Sequence, residues 1–260
     1  MTRRVAVKIA YLGEGFSGSQ YQPGFRTVEG EILSNLSMIG GGRTAEWFNL
    51  KCASRTDSGV NSLGNVVVFN TDIRNDRELL KGLNAVSDGV YYRAIAEVDE
   101  TFNVRWANHR IYKYVLKTAG MDKDATEACL KLFEGKHDFR NFSKQDGKST
   151  ETEIESISME WGDGTAVIRF QARFFLWHLI RRIVGAVSAV GRGNAALEDA
   201  QRALDGESIS FGTARADALT LVDIIYKNVE FYVPDSSLLD ETIEEGLFRC
   251  SLRSLFFSSL

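Results

Sequence analysis

Short segments in which apolar and polar residues alternate recur along this chain, and stretches with helical spacing separate them. In the first hundred residues the segments with strand-like alternation are 5–11, 48–53, 64–69 and 90–98. Helical spacing follows Thr27, a typical N-cap residue, and Asp76. Because the strands come in clusters and do not alternate one by one with helices, the pattern favours antiparallel sheets and an α+β fold.

The second half repeats this mixture of elements. Its predicted strands are 111–116, 154–161, 165–174, 219–226 and 229–233, and its predicted helices are 122–135, 175–190 and 197–204. The Asp163-Gly164 pair between two alternating segments is a strong hairpin signal. We place a boundary near residue 100, which divides the chain into halves 1–100 and 101–260. The segment after Pro234 is acidic and then apolar, and the pattern does not place it.

Composition narrows the class of protein. Of 260 residues, 44% are hydrophobic and 25% are charged, as in an average soluble protein and unlike a disordered chain. No uncharged apolar run reaches the ~18 residues of a membrane-spanning helix, and the first residues lack the apolar stretch of a signal peptide. We therefore expect a cytoplasmic protein without a membrane partner. The cysteines lack disulfide or metal spacing and are expected to be buried hydrophobic residues: Cys52, Cys129 and Cys250.

The distribution of charge indicates a basic face. The net charge is −4, which by itself argues against nucleic-acid binding. However, there is no acidic residue between Thr101 and Met121, or between Gly164 and Leu197. A chain with an acidic total can still present a basic surface to RNA. The candidate phosphate contacts in these two segments are Arg105, Arg110, Lys113, Arg169 and Arg173.

Common cofactor motifs fail on their context. Segment 191–196 matches a dinucleotide-binding pattern in its letters, but it follows a predicted helix and not a strand. The histidines have no metal-ligand spacing and the chain has no P-loop. We therefore predict no metal and no cofactor, so an enzyme of this sequence would use carboxylate, phenol and guanidinium groups.

The loop 55–60, Arg-Thr-Asp-Ser-Gly-Val, lies between two predicted strands, where functional residues tend to occur. Asp57 follows Arg55 by two residues and precedes Gly59 by two, so a tight turn would present the carboxylate. The same letters are also ordinary turn chemistry, with an aspartate capping the turn beside a solvated arginine. Taken alone, the loop leaves both interpretations open.

Together with other segments, this loop resembles the Arg-Thr-Asp-x-Gly-Val-His motif of TruA-type tRNA pseudouridine synthases. Segment 102–105 is similar to that family's Phe-x-Ala-Arg, segment 110–114 to Arg-x-Tyr-x-Tyr, and segment 174–185 to Phe-x-x-His-x-Val-Arg-x-Ile-Val-Gly. The other similar segments are 10–20, 28–32, 137–142 and 218–221. The segments follow in family order, which makes the resemblance specific although none of them would be specific alone.

Three positions depart from the family pattern. Ser19 stands where the family has tryptophan, Asn61 stands for histidine, and Ala218 stands for glycine. Asn61 is expected to loosen backbone contacts near the target nucleotide. These departures bear on the choice of substrate more than on the chemistry.

The resemblance implies a pseudouridine synthase fold, in which two RRM-like halves surround a central antiparallel sheet with a catalytic cleft between them. Half 1–100 would carry the Asp57 loop, and half 101–260 would carry a basic helix and the acidic tail. Asp57 would then attack C1′ or C6 of the nucleotide, or remove a proton from the sugar, and the sequence leaves all three routes open.

The resemblance also implies the partners of this carboxylate. Arg181 would pair with Asp57, where its residue pattern alone also fits a surface charge. Tyr112 would stack on the uracil and offer a phenol for proton transfer, where the pattern alone also fits an ordinary strand aromatic. Arg55 would take the place of the extruded base, and Leu219 would pack on the other side of the uracil.

The implied function is isomerisation of uridine to pseudouridine in the anticodon stem-loop of tRNA, at positions 38, 39 and 40. The implied assembly is a homodimer in which one tRNA spans both subunits. One alternative keeps the chemistry but changes the tRNA position or the RNA. A second alternative is a tRNA-binding module without catalysis, and the intact set of Asp57, Tyr112 and Arg181 counts against it.

Overall fold

The computed structural model describes residues 2–144, 147 and 149–259. The strands are β1 (Arg3–Tyr11), β2 (Lys51–Cys52), β3 (Asn61–Thr71), β4 (Val90–Glu97), β5 (His109–Lys117), β6 (Gly135–Asp138), β7 (Glu151–Ile154), β8 (Ser156–Trp161), β9 (Thr165–Ala172) and β10 (Leu219–Ile225). The helices are α1 (Val28–Ile39), α2 (Ala45–Phe48), α3 (Asp76–Val86), α4 (Lys123–Lys131), α5 (Leu179–Gly191), α6 (Leu197–Leu204) and α7 (Asp240–Ser258). The α+β fold class predicted from the sequence is confirmed.

One large sheet runs through both halves of the chain. Its strand order is β4-β1-β3-β10-β5-β9-β8, with β2 paired to β3, and β6 and β7 form a separate pair. Neighbouring strands are antiparallel except β3 and β10, which pair in parallel through Asn61 and Ser62 of β3 and Thr220 and Leu221 of β10. This one pairing joins the sheet of the first half to the sheet of the second.

Two hydrophobic cores stabilise the sheet. The first packs α1 and α3 against β1 and β3, and it includes Ile32, Leu80 and Phe69. The second packs α4, α5 and α6 against β5 and β9, and it includes Ile183 and Phe170. The predicted division at residue 100 falls between β4 and β5, and it remains a prediction because the sheet itself is continuous.

Local sequence signals account for several elements. The Thr27 hydroxyl accepts a hydrogen bond from the Gly30 amide and caps α1, and Asp122 caps α4 in the same way. Gly164, with φ of 67°, completes the tight turn between β8 and β9. The predicted caps at Thr27 and Asp122 and the predicted hairpin are therefore confirmed.

Other boundaries differ from the expectations. The predicted strand 48–53 is reduced to Lys51–Cys52, because Thr44 caps the short helix α2 ahead of it. Asn75, and not Asp76, caps α3. The predicted strand 229–233 makes only an isolated bridge between Tyr232 and Ile95.

The C-terminal segment forms the exposed helix α7. None of its residues is buried. Cys250 lies on this helix and is exposed, which corrects the expectation of burial, whereas Cys52 and Cys129 are buried as expected. Among the residues that the structure describes, no helix is long and apolar enough to cross a membrane.

Close backbone packing at the end of β1 holds the loop that carries Asp57. A Cβ at Gly13 would lie 2.4 Å from the Gly59 carbonyl carbon and 2.4 Å from the Val60 carbonyl oxygen. We expect Gly13→Ala to displace this loop and to lower the free energy of unfolding by about 1–3 kcal/mol, measured by chemical denaturation. Gly15→Ala is the matched control, because a Cβ there meets only the end of the Arg26 side chain at 3.6 Å. Equal stability of the two variants would contradict the prediction.

Candidate active site

Asp57 lies in a wide cleft where the two halves of the sheet meet. The cleft has a volume of about 1090 Å³. It brings together several residues that the sequence singled out: Arg55, Asp57, Arg105, Arg110, Tyr112, Arg181 and Leu219. These residues come from the loop after β2, the segment before β5, and β5, α5 and β10, so the fold assembles the site from distant parts of the chain.

Arg181 on α5 pairs with the carboxylate of Asp57. Its Nη1 donates to Asp57 Oδ2 at 3.0 Å, and its Nε donates to the Ala214 carbonyl at 2.8 Å. The side chain of Arg181 is 16% exposed and that of Asp57 is 28% exposed, so solvent screens this pair only in part. The second contact fixes the direction of the guanidinium, which in turn fixes one carboxylate oxygen.

Two residues that sequence reasoning did not assign to the site also contact Asp57. The indole nitrogen of Trp177 donates to Asp57 Oδ1 at 3.0 Å, and His178 Nε2 lies 3.3 Å from Oδ2. They precede Arg181 by four and three residues, and within the predicted helix this spacing would place them beside Arg181, which was the available signal. Sequence reasoning placed them inside a helix starting at 175, but α5 begins at Leu179.

The backbone at His178 explains this late start of α5. His178 has φ of 66°, a left-handed conformation that few non-glycine residues adopt. Its carbonyl accepts the first helical hydrogen bond, from the Arg182 amide at 3.0 Å. The turn before the helix directs Trp177 and His178 toward the carboxylate, so the strained backbone serves the site.

His178 is neutral at physiological pH in this environment. Burial lowers its pKa below the ordinary value of 6.5, and the positive charge of Arg181 acts in the same direction. The negative charge of Asp57 opposes these effects. A neutral imidazole that presents its Nε2–H can donate a hydrogen bond to the Asp57 carboxylate.

Hydrogen bonds from buried side chains hold the Asp57 loop in place. Asn65 accepts from the Ser54 amide at 3.2 Å and donates to the Ser54 carbonyl at 2.9 Å. The Tyr11 hydroxyl lies 2.9 Å from Thr56 Oγ1, and the Thr56 amide donates to Ser19 Oγ at 2.8 Å. Ser19 departs from the family pattern, and its small hydroxyl is part of this anchor.

Asn61 also holds the loop, which corrects the expectation that it loosens backbone contacts. Its Oδ1 accepts from the Gly13 amide at 2.9 Å, and its Nδ2 donates to the Asp217 carbonyl at 2.8 Å. An amide can accept and donate at once, so Asn61 joins the end of β1 to the segment before β10.

Tyr112 and Leu219 line the wall of the cleft. Both are buried, and the Tyr112 ring packs edge-on against Phe175 at 5.2 Å between ring centroids. Burial raises the pKa of the Tyr112 phenol, and the negative charge of Asp57 acts in the same direction, whereas the positive charge of Arg110 opposes them. The phenol therefore keeps its proton at neutral pH.

The predicted phosphate contacts occupy three different environments. Arg105 lines the cleft and is exposed, and Arg173 is exposed directly before the cleft residue Phe174. Lys113 and Arg169 are register partners on β5 and β9, on the sheet face opposite Tyr112, so the structure does not bring them into the cleft.

Arg110 does not fit the prediction of a phosphate contact. It is only 7% exposed, and its guanidinium nitrogens donate to oxygens of the protein itself. On β5, alternation turns it toward the same side as Tyr112, into the interior. The burial of Arg110 corrects that expectation.

An α+β fold with a guanidinium-paired carboxylate in an open cleft is the arrangement expected of a pseudouridine synthase. A family model described as tRNA pseudouridine synthase matches residues 129–227. The tRNA pseudouridine synthase A of Pyrococcus furiosus is 39% identical over 263 residues, covering 97% of this chain and 96% of that protein. The protein of that name from Methanosphaera stadtmanae is 35% identical, covering 88% of this chain and 86% of its own length. The chain belongs to the tRNA pseudouridine synthase A family, whose members are isomerases.

Solved structures of more distant proteins also align with this chain. A chain of a Cbf5-Nop10-Gar1 complex is 14% identical and covers 71% of this chain and 45% of its own length, with a TM-score of 0.36. At this distance the similarity carries no information about the site.

The charges around His178 predict its titration. We expect a pKa below 6.5, measured by proton NMR, for the one imidazole resonance that is missing in His178→Gln. Asp57→Asn removes the charge that raises this pKa, so the midpoint should fall further, whereas Arg181→Leu should raise it. A midpoint above 6.5, or one that rises in Asp57→Asn, would show that His178 is not coupled to the carboxylate in this way.

The indole of Trp177 holds one oxygen of the carboxylate, and this contact can be removed by itself. Trp177→Phe keeps an aromatic ring but loses the donor, so we expect the single-turnover rate of uridine isomerisation to fall by about 10-fold or more. Binding of tRNA should stay the same. Trp161→Phe is the matched control, because its indole also donates to a carboxylate, that of Glu127 at 2.7 Å, outside the cleft. A Trp177→Phe rate equal to that of the control would show that the indole contact does not contribute to the reaction.

Proposed function

We propose that this chain converts uridine to pseudouridine in tRNA, in the anticodon stem-loop at positions 38, 39 and 40. The observation that carries the proposal is the Asp57 carboxylate, which two donors hold on opposite oxygens in an open cleft: Arg181 on Oδ2 and Trp177 on Oδ1. Membership of the tRNA pseudouridine synthase A family supports tRNA as the substrate. The family resemblance of the motifs supports the anticodon positions.

The reaction breaks the bond between N1 of uracil and C1′ of ribose, turns the base, and joins C5 to C1′, after which C5 loses a proton and N1 gains one. It involves no net oxidation or reduction. Asp57 can take part by attacking C1′, by attacking C6, or by removing a proton from the sugar. Each route needs a carboxylate held in a fixed orientation, and the contacts to Arg181 and Trp177 supply this orientation.

Tyr112 and Leu219 are the proposed walls of the uracil site. Both side chains are buried in the cleft wall, and the Tyr112 ring offers an aromatic face for the base. Because burial raises its pKa, the phenol of Tyr112 keeps its proton at neutral pH, so it would donate a hydrogen bond and would not act as a base.

The basic residues of the cleft are proposed to hold the RNA. Arg55 is exposed beside Asp57, where it can take the place of the extruded base and offset part of the cost of flipping, a few kcal/mol. Arg105 and Arg173 are exposed and suited to phosphate contacts. Lys113 and Arg169, on the other face of the sheet, would contact only a more distant part of a tRNA.

We also propose that the chain acts in the cytoplasm as a homodimer in which one tRNA contacts both subunits. The resemblance to the family supports this assembly. The two halves, 1–100 and 101–260, are proposed as the two units whose junction, where β3 meets β10, forms the cleft.

The test of the catalytic assignment is Asp57→Asn. The amide has nearly the shape of the carboxylate, so we expect a folded protein that still binds tRNA but lacks the charge that attacks or deprotonates. Pseudouridine should be undetectable in a single-turnover assay, in which slow product release cannot hide the chemical step. Asp72→Asn is the matched control, because Asp72 pairs with Arg43 at 2.6 Å far from the cleft.

The possible results of these assays distinguish the proposed enzyme from a binding module and from an enzyme that acts at other positions. Substantial isomerisation by Asp57→Asn would show that another group is catalytic. A natural sequence that binds tRNA tightly but makes no pseudouridine would support the binding module instead. Mapping of pseudouridine in tRNA from cells with and without the protein tests the positions, and a product only outside 38, 39 and 40 would overturn that part of the proposal.

A further inference from the structure

Arg110 is a buried arginine beside the cleft. Its exposed fraction is 7%, and burial lowers the pKa of its guanidinium. Within the part of the chain that the structure describes, no carboxylate forms an ion pair with it. A guanidinium so far from water is stable only where hydrogen bonds satisfy its donors, so the identity of its acceptors shows what it holds together.

The acceptors of Arg110 come from three separate segments. Its Nε donates to Ser54 Oγ at 2.8 Å and its Nη2 to the Ala53 carbonyl at 3.2 Å, both at the start of the Asp57 loop. Nη2 also donates to the Arg105 carbonyl at 3.0 Å, and Nη1 donates to the Arg173 carbonyl. One side chain thus connects the Asp57 loop to two segments at the edge of the cleft, 105–106 and 173–174, which we call the rim segments.

The two rim segments share a composition suited to RNA. In each, an exposed arginine is followed by an exposed aromatic residue: Arg105 by Trp106, which is 76% exposed, and Arg173 by Phe174, which is 47% exposed. Arginine can bind phosphate while the aromatic ring stacks on an unpaired base. The backbones that carry these pairs are the ones that Arg110 holds.

We propose that Arg110 is a positioning residue that ties both rim segments to the start of the Asp57 loop, so that RNA gripped at the rim is held in register with the carboxylate. The inference rests on the proposed function. The guanidinium is suited to this role because it presents five donors in a rigid fork, whereas a lysine ammonium is a single point that cannot reach four acceptors on three segments.

The test compares Arg110→Met and Arg110→Lys with Arg105→Met as the matched control. Hydrogen exchange of the protein without RNA should accelerate at 53–58 and 103–106 in both Arg110 variants, and it should not change in the control. The single-turnover rate should fall by about 10²-fold in both Arg110 variants, as for a misplacement near 1 Å. Arg110→Lys should not restore the rate, because the proposed role depends on the geometry of the hydrogen bonds of Arg110 and not on its charge.

Salt dependence distinguishes this role from a phosphate contact. The slope of log affinity for tRNA against log salt concentration should be unchanged in Arg110→Met, whereas Arg105→Met should reduce its magnitude by about 1. A reduced slope in Arg110→Met, normal exchange at 53–58, or wild-type activity in Arg110→Lys would each overturn the proposal.

Two further arms keep the test decisive. If Arg110→Met does not fold, Ser54→Ala removes one acceptor alone and should still accelerate exchange at 53–58. If the natural sequence makes no pseudouridine in any tRNA, the proposed function fails. The exchange and salt measurements then still decide whether Arg110 holds the two rim segments to the start of the Asp57 loop.

Discussion

The hydrogen-bonded ion pair between Asp57 and Arg181 forms because the fold brings together two residues that lie far apart in the chain. The two residues are 124 positions apart, one on a loop between β2 and β3 and the other on α5. The parallel pairing of β3 with β10 brings the two halves of the sheet together at this point, through two residues of each strand. A shift of that pairing by one residue would reverse which side chains face the cleft, so the register of this short pairing controls the site.

Local chemistry explains why many elements could be predicted from the sequence. Thr27 and Asp122 cap helices, and Asp163-Gly164 makes a tight turn, because the responsible hydrogen bonds join residues close in the chain. The left-handed backbone at His178 could not be predicted, since it depends on tertiary contacts. Sequence spacing therefore extended the helix to 175. The contacts of Trp177 and His178 with Asp57 were missed because the carboxylate lies about 120 positions away in the chain. The pairing of β3 with β10 was also missed, because no local pattern encodes contacts between distant segments.

The absence of acidic residues indicates two basic segments, but it does not indicate which face of the sheet each basic residue occupies. Arg105 and Arg173 are exposed at the rim, Lys113 and Arg169 lie on the opposite face of the sheet, and Arg110 is buried. Successive side chains of a strand point to opposite faces of the sheet. The residues of one basic segment therefore lie on two surfaces and in the interior.

The groups that surround Asp57 leave it as the one anionic side chain among its contacts. The indole of Trp177 carries no charge, burial and nearby cations keep His178 neutral, and Arg181 supplies a single positive charge to Oδ2. Burial likewise keeps the Tyr112 phenol protonated. A protonated His178 would place a second cation on the same oxygen and hold its electron pairs more tightly, which would weaken the carboxylate as a nucleophile or base. The lowered pKa of His178 therefore leaves the Arg181 guanidinium as the cation that pairs with Asp57, which suits the proposed role of this carboxylate as a nucleophile or base.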